Sequence, residues 1–423
     1  MASQVRKVRL DNGATLVMER SEHVRSVSVG VWVKVGSSIE TPALSGMSHF
    51  IEHMTFKGTE NRSSLELATV LESLGGDLNA FTDREVTCYH STVLSEHVDV
   101  ALDVLSDLTL HPIFPKKEIE REKKVLLQEL SMIDEAPDEQ AQELFFGKIW
   151  KGHPLGQPVI GTKYNIENFD RKIAHKFFKQ YYHPENMVIS VAGNIDTDSI
   201  IAKCEVLFKV KDKWKAPVQA QVKSPVVYHP TFIKSTTATD QLHLIVGFEG
   251  LSIHDRQRFD ALVLNFYLGG GMSSRLFQEI REKAALAYTV DCDFIPYSEA
   301  GVCAIYLALQ PKTLERCLSI LGKEIKAVCK KPISAETLAM VKNQIKGAVI
   351  LSSELIEAKQ ESLGRNEVCF GRHVTTDEIL GEINNVTVEK VQKVAQRIFV
   401  PEKETTVTLS RVKPKTKKVS IFL

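Results

Sequence analysis

Two histidines four residues apart, with a glutamate directly before the second, stand in the stretch MSHFIEHMTFKGT that begins at Met47. At about 100° per residue around a helix, Met47, Phe50, Ile51 and Met54 share one arc, while His49, Glu52 and His53 gather on the other side. Imidazoles at i and i+4 lie side by side and can hold one divalent ion between them. Glu52 then sits next to a ligand without being one, within reach of a proton on a nearby water. The same spacing also suits an ordinary solvated helix face, so the pair needs a third ligand from elsewhere before it means a metal site.

A second predicted helix offers that ligand. In KKEIEREKKVLLQELSMI, from Lys116, the residues Ile119, Leu126, Leu130 and Ile133 form an apolar stripe. Glu122 and Glu129 fall inside the arc bounded by that stripe and Val125, away from Lys123, Lys124 and Gln128. A carboxylate on a core-facing arc is costly unless it is paired or bound to a cation. The alternatives are two buried salt bridges to arginines elsewhere, a helix rotated so that the stripe is partly wet, or a carboxylate that completes a three-ligand centre with an open position for water. The last of these, the metal-site reading, makes His49-Phe50-Ile51-Glu52-His53 an H-x-x-E-H element, the inverse of H-E-x-x-H, with Glu52 as base. Nitrogen and oxygen donors suit zinc, and manganese or cobalt can substitute.

The elements around these helices are those of an ordinary globular protein. The 423 residues suggest two domains, and 43% hydrophobic with 25% charged residues excludes a disordered or fibrous chain. Lys plus Arg and Asp plus Glu are equal at 53 each, which leaves no electrostatic footprint for nucleic acid or an anionic membrane. No apolar run approaches the roughly 20 residues of a membrane span, and the N-terminus reads at once as strand, Asn12-Gly13 turn and strand instead of a signal segment. Seven scattered cysteines without a C-x-x-C pair suit reduced thiols and a cytoplasmic protein.

SVSVGVWVKVGSS, from Ser26, alternates with period two and predicts a strand. SLELATVLESLGG predicts a helix closed by Gly75-Gly76; DLNAFTDREVTCYHSTV predicts one or two strands, and SEHVDVALDVLSDLTL a helix with Ser95 as N-cap. MVISVAGNI predicts a further strand before another helix. Residues 212–232, rich in Lys and Pro, read as a linker between an N-terminal metal-binding domain at 1–211 and a C-terminal domain at 233–423. The second half repeats the order of the first, with a strand in QLHLIVGFEG, a helix from Asp255 and another ending near Leu286. The fold expected is α+β, two related domains, each a mostly antiparallel sheet with helices on one face.

Four motifs in order, GMSHFIEHMTFKGT, LGGDLNAFTDREVTCYHSTV, IEREKKVLLQEL and SSRLFQEIREKAALAYTV, make the chain resemble the pitrilysin family of zinc metallopeptidases. The likeness is to short bacterial members similar to the β subunit of mitochondrial processing peptidase, and it runs over essentially the whole chain. The resemblance implies that His49, His53 and Glu129 hold one Zn2+ per chain, that Glu52 is the general base, and that Glu122 supports the site. It also implies duplicated α+β units forming a half-clamshell. Asn79, Ala80 and Phe81 resemble the edge strand on which such enzymes pair a peptide, though on its own the segment is an ordinary strand. Arg281 and Tyr288 match a spaced pair that contacts substrate, with Tyr288 a donor to the developing oxyanion; without the family, REKAALAY is a helix running into a strand. Because larger members carry two half-clamshells on one chain, a dimer with an identical or related chain is expected. LGGGMSS, from Leu268, lacks the Gly-Lys-Ser/Thr of a phosphate loop and reads as a turn. The resemblance implies an endopeptidase acting on peptides or unfolded segments; the alternative is a non-catalytic partner subunit of the same fold.

Overall fold

The computed structural model describes residues 5–210, 225–415 and 419–422. The first sheet contains β1 (Val5–Arg9), β2 (Thr15–Arg20), β3 (Ser26–Val33), β4 (Asn79–Thr82), β5 (Thr87–Leu94) and β6 (Met187–Gly193), in the spatial order β1-β2-β6-β3-β5-β4. Asn12 and Gly13 turn β1 into β2: Gly13 takes φ +93°, and the Asn12 side chain accepts the Ala14 N–H at 2.9 Å. Between β4 and β5 the carboxylate of Asp83 accepts the N–H groups of Glu85 and Val86, which makes two strands of the NAFT…TCYH stretch.

The second sheet contains β7 (Phe232–Thr236), β8 (Leu242–Glu249), β9 (Ala287–Pro296), β10 (Gly301–Leu309) and β11 (Thr405–Ser410), in the order β7-β11-β8-β10-β9. Apart from β1, the two sheets share one plan. A parallel pair, β2–β6 or β7–β11, is followed by three antiparallel pairings out to β4 or β9. The duplication expected from element order is therefore a duplication of topology.

Helices α1 (Met47–Thr55), α2 (Ser64–Glu72), α3 (Val98–Leu110) and α4 (Lys116–Glu135) bury their apolar faces against one side of the first sheet. Strand alternation supplies the other half of that core, from Val27, Val29, Val31 and Val33 of β3 and Ile189 and Val191 of β6. A capping box between Ser63 and Glu66 starts α2. Ser95 does not cap α3: a short 3-10 turn at Ser95–His97 intervenes, and the helix begins at Val98 without a side-chain cap.

The expectation of helices on one sheet face needs an addition. The opposite face of the first sheet carries Val17, Trp32, Val188 and Ala192, and it is covered by Ile356 and Leu363 of the helix Ile356–Phe370. The opposite face of the second sheet is covered by α5 (Pro137–Ile149) through Phe145 and Ile149. Each approach runs over a glycine in the sheet's central strand. A Cβ on Gly30 of β3 would lie 1.9 Å from Nε2 of Gln360, and one on Gly247 of β8 would lie 2.2 Å from Cζ of Phe145.

Packing accordingly divides the chain into two units that are not contiguous. One comprises Met1–Leu130, Gln157–Lys223 and Leu351–Val374; the other comprises Ser131–Gly156, Ser224–Ile350 and Thr375–Leu423. The contiguous domains 1–211 and 233–423 are corrected to this extent: each half of the chain lends one helix to the other unit, because a sheet apolar on both faces must be covered on both. Of the expected linker, 212–224 lie outside the described residues, and β7 already begins at Phe232. Among the described residues no helix is long and apolar enough to cross a membrane. All seven cysteines are free thiols.

Candidate metal centre and active site

The centre is built on α1, whose start is fixed by a buried carboxylate. Gly46 precedes the helix at φ +92°, where a Cβ would meet the Ile160 carbonyl at 2.5 Å. Glu40, fully buried, accepts the N–H of Gly46 at 2.7 Å and that of Ser48 at 2.6 Å. An anion there satisfies unpaired first-turn amides and complements the helix dipole. Burial pushes its carboxyl up to about 7, against the opposing hydrogen bonds from Ser48, Gly46 and Met47. Met47, Phe50, Ile51 and Met54 are completely buried, as their shared arc requires, and they leave His49, Glu52 and His53 on the other face.

The two imidazole rings lie 4.7 Å apart, centroid to centroid. Across from them, α4 buries Ile119 and Leu126 and presents Glu122 and Glu129. One ligand atom each from His49, His53 and Glu129 falls within 4.8 Å of the other two, and among the described residues this is the one such group of three. Nε2 of His53 stands 3.7 Å from Oε2 of Glu129. The Nδ1 side of the same ring faces Oε2 of Glu122 at 3.2 Å, and Oε1 of Glu122 meets Nζ of Lys57 at 2.9 Å. The buried glutamate thus pairs with a histidine and a lysine from beside the motif, not with distant arginines.

This donor set fits a zinc ion. A carboxylate accepting Nδ1–H from a ligating histidine fixes the tautomer that leaves Nε2 with its lone pair. Burial, aided by the charge of His53, pushes the His49 ring down to about 4, so it is neutral and able to ligate at physiological pH. His49 also has a buried ring nitrogen, Nδ1, with no hydrogen-bond partner. Burial alone would lower His53, but the hydrogen bond to Glu122 and the charges of Glu129, Glu52 and Glu122 raise it. Burial alone would raise Glu122, yet the bonds to His53 and Lys57 hold it below the usual carboxylate range.

Glu52 takes no part in that ligand group. Burial raises its carboxyl, opposed by a hydrogen bond of 2.5 Å from the Thr82 hydroxyl to Oε2. Thr82 in turn lies 3.3 Å from the Thr87 hydroxyl, which donates to the Val35 carbonyl. A half-buried carboxylate of raised affinity for protons, beside a ligand cluster, is suited to general base chemistry.

Thr82 ends β4, the outermost strand of its sheet, which pairs only with β5 among the described strands. Ala80 packs toward the core beneath α1, whereas Phe81 turns to the other face against Trp32 at 5.7 Å. Asn79, Ala80 and Phe81 thus share a main-chain edge and not a side-chain surface. Arg281 and Tyr288 belong to the second unit. They meet each other: the Arg281 guanidinium lies 4.8 Å from the ring of Tyr288 and 4.7 Å from that of Phe277. Arg281 sits in a π-helical stretch, Phe277–Lys283, and Tyr288 is 75% exposed on β9, the edge strand of its sheet. Such π segments are uncommon and frequently mark functional positions.

The structure adds three residues to the centre that the sequence offers. Lys57 follows His53 at the same spacing that separates the two histidines. Thr82 directly follows Asn79-Ala80-Phe81, and Glu40 lies in the loop before α1. The first two spacings were visible, but only the fold brings Glu40 to the helix start.

Residues 15–163 match the family model described as insulinase (peptidase family M16), and residues 168–345 match that of the peptidase M16 inactive domain. An uncharacterized zinc protease, YmxG, of Bacillus subtilis is 37% identical over 94% of this chain and 96% of its own. An uncharacterized zinc protease of Rickettsia bellii is 36% identical over 92% and 94%. In fold, a protease from Helicobacter pylori superposes with a TM-score of 0.88 at 20% identity, covering 96% of this chain and 99% of that one. A Pseudomonas fluorescens structure described as a peptidase M16 inactive domain gives 0.89 at 20% identity, over 97% and 98%.

Proposed function

Because the chain belongs to the M16 family of zinc peptidases, the pitrilysin family, we propose that it is an endopeptidase acting on peptides and unfolded polypeptide segments. The observation that carries this reading is the convergence of His49, His53 and Glu129 with Glu52 beside them and outside the ligand group. A zinc ion held by those three side chains, one per chain, would supply a Lewis acid that polarises the scissile carbonyl and acidifies a neighbouring water. Glu52 takes the proton of the water whose oxygen attacks the carbonyl carbon. As the C–N bond breaks, protonated Glu52 passes that proton to the leaving amine. Thr82 holds the carboxylate for both transfers, and Glu122 keeps the His53 ring oriented.

The exposed main-chain edge of β4 supports binding of the substrate as an added strand, with backbone hydrogen bonds that accept many sequences. Arg281 and Tyr288 enter the proposal as substrate contacts, and the active form as a dimer with an identical or related chain in which the substrate is enclosed. Full activity of a monomer in gel filtration would remove the dimer. The complete set of His49, Glu52, His53, Glu122 and Glu129 supports catalysis over a non-catalytic partner role.

The test is chelator-sensitive cleavage of a quenched fluorescent peptide together with metal analysis. Glu52→Gln should retain the metal and lose nearly all turnover, whereas His49→Ala should lose both. A Glu52→Gln variant as active as the parent would refute the mechanism.

A further inference from the structure

Lys57 lies one helical turn beyond His53, immediately past the end of α1, and both reach the same carboxylate. Glu122 divides its two oxygens between them: Oε2 faces Nδ1 of His53 at 3.2 Å, and Oε1 faces Nζ of Lys57 at 2.9 Å. Glu122 is only 5% exposed, so neither oxygen can exchange its partner cheaply for water.

The backbone that carries Lys57 is itself pinned. The Lys57 N–H donates to the Met54 carbonyl at 3.2 Å, and Gly58 takes φ +124°, a conformation that favours glycine. The Gly58 carbonyl accepts the Ile113 N–H at 3.1 Å. Beyond it, Thr59, Asn61 and Arg62 all hydrogen-bond to the buried carboxylate of Asp107. The backbone beneath the lysine is thus fixed in place, and only its side chain has to be ordered to meet Glu122.

We propose that Lys57 is a positioning residue of the metal centre: by occupying Oε1 of Glu122 it fixes the other oxygen on Nδ1 of His53 and so orients that ring toward the ion. Without the ammonium, the carboxylate can rotate away from the ring, and His53 loses the partner that sets its tautomer. A surface ion pair contributes little and tolerates loss; this pair differs because its carboxylate is buried and already engaged with a ligand.

The inference rests on the metal-site reading and is tested by zinc affinity, measured on the full chain by competition with a chromophoric chelator. Lys57→Met should bind zinc about tenfold more weakly, the lower end of the effect of removing a partner of a ligand, and Lys57→Arg should restore most of that loss. In a Glu122→Gln background, Lys57→Met should add little, because the carboxylate through which it acts is gone. Circular dichroism and a thermal scan in chelator report folding of each variant separately. Parental affinity in Lys57→Met overturns the proposal and leaves the metal site standing, as does the same loss with and without Glu122. If the parent chain binds no zinc while it is folded, both fall.

Discussion

The Thr82 hydroxyl donates a 2.5 Å hydrogen bond to Oε2 of Glu52, joining the last residue of an edge strand to the acidic side chain between two histidines. The bond supports the ionised carboxylate against its burial and selects one orientation of it. Thr82→Val keeps the shape and removes the donor. It should lower kcat by about tenfold, the scale of a lost hydrogen bond to a charged group, with KM nearly unchanged and the metal retained. Thr82→Ser should keep most of the activity. Steady-state kinetics on one peptide, with metal content measured in parallel, decide the matter; an unaltered kcat in Thr82→Val would show that the base needs no such support.

Glu40 predicts a pH dependence of stability. Its native carboxyl titrates at about 7, above the ordinary 4.5, because it is buried. The native state therefore holds a proton that the unfolded state has released between those values. The associated stability is complete below about pH 4.5 and is lost as the pH rises through about 7, on the order of 3 kcal/mol in all. His49 acts oppositely: with a native value of about 4, it makes stability rise between about pH 4 and 6.5. Urea unfolding of metal-free parent and Glu40→Gln proteins at several pH values separates the two. The difference between the curves should fall from pH 5 to pH 7 and then level, and a flat difference would assign the slope elsewhere.

Removing metal should lower the thermal midpoint. An ion that binds only the folded state at a hundred times its Kd contributes about 2.7 kcal/mol, which corresponds to a fall of about 5 °C on adding chelator to a unit of this size. His53→Ala should show the lower midpoint already and not respond to chelator. Calorimetry with and without a strong chelator makes the comparison, and an equal response in His53→Ala would place the bound metal elsewhere.

Much of the centre was legible because helical periodicity carries it. The arc of Met47, Phe50, Ile51 and Met54 predicts which face of α1 is buried, and all four are. The same geometry puts His49, Glu52 and His53 together, and the stripe of Ile119 and Leu126 aims Glu122 and Glu129 at them. The rest comes from contacts between segments far apart in sequence. Thr82 lies 30 positions from Glu52, and Lys57 meets Glu122 across two helices. The helix Ile356–Phe370 covers Trp32 of β3 from the other half of the chain. The small residues Ser28 and Gly30 in SVSVGVWV were the available hint: they alternate with valines buried on the opposite face, which makes room for something to pack closely.

That close packing yields the last prediction. Gly30 and Gly247 hold equivalent central-strand places in the two sheets, and each faces the covering helix so closely that a methyl group must displace a side chain. Gly364, on the helix over β3, is equally tight, its Cβ falling 1.9 Å from Nε1 of Trp32. Trp32 is fully buried and donates to Ser190, so it cannot yield without losing that bond. Gly30→Ala, Gly247→Ala and Gly364→Ala should each destabilise by about 1–3 kcal/mol, as overpacking does. Gly347 and Gly381 lie inside helices with nothing within 4 Å of the added carbon, so alanine there should stabilise by about 0.4–1 kcal/mol. Urea midpoints for the five variants test both signs together. If Gly30→Ala or Gly247→Ala behaves like Gly381→Ala, the covering helices do not pack against the sheets as closely as described.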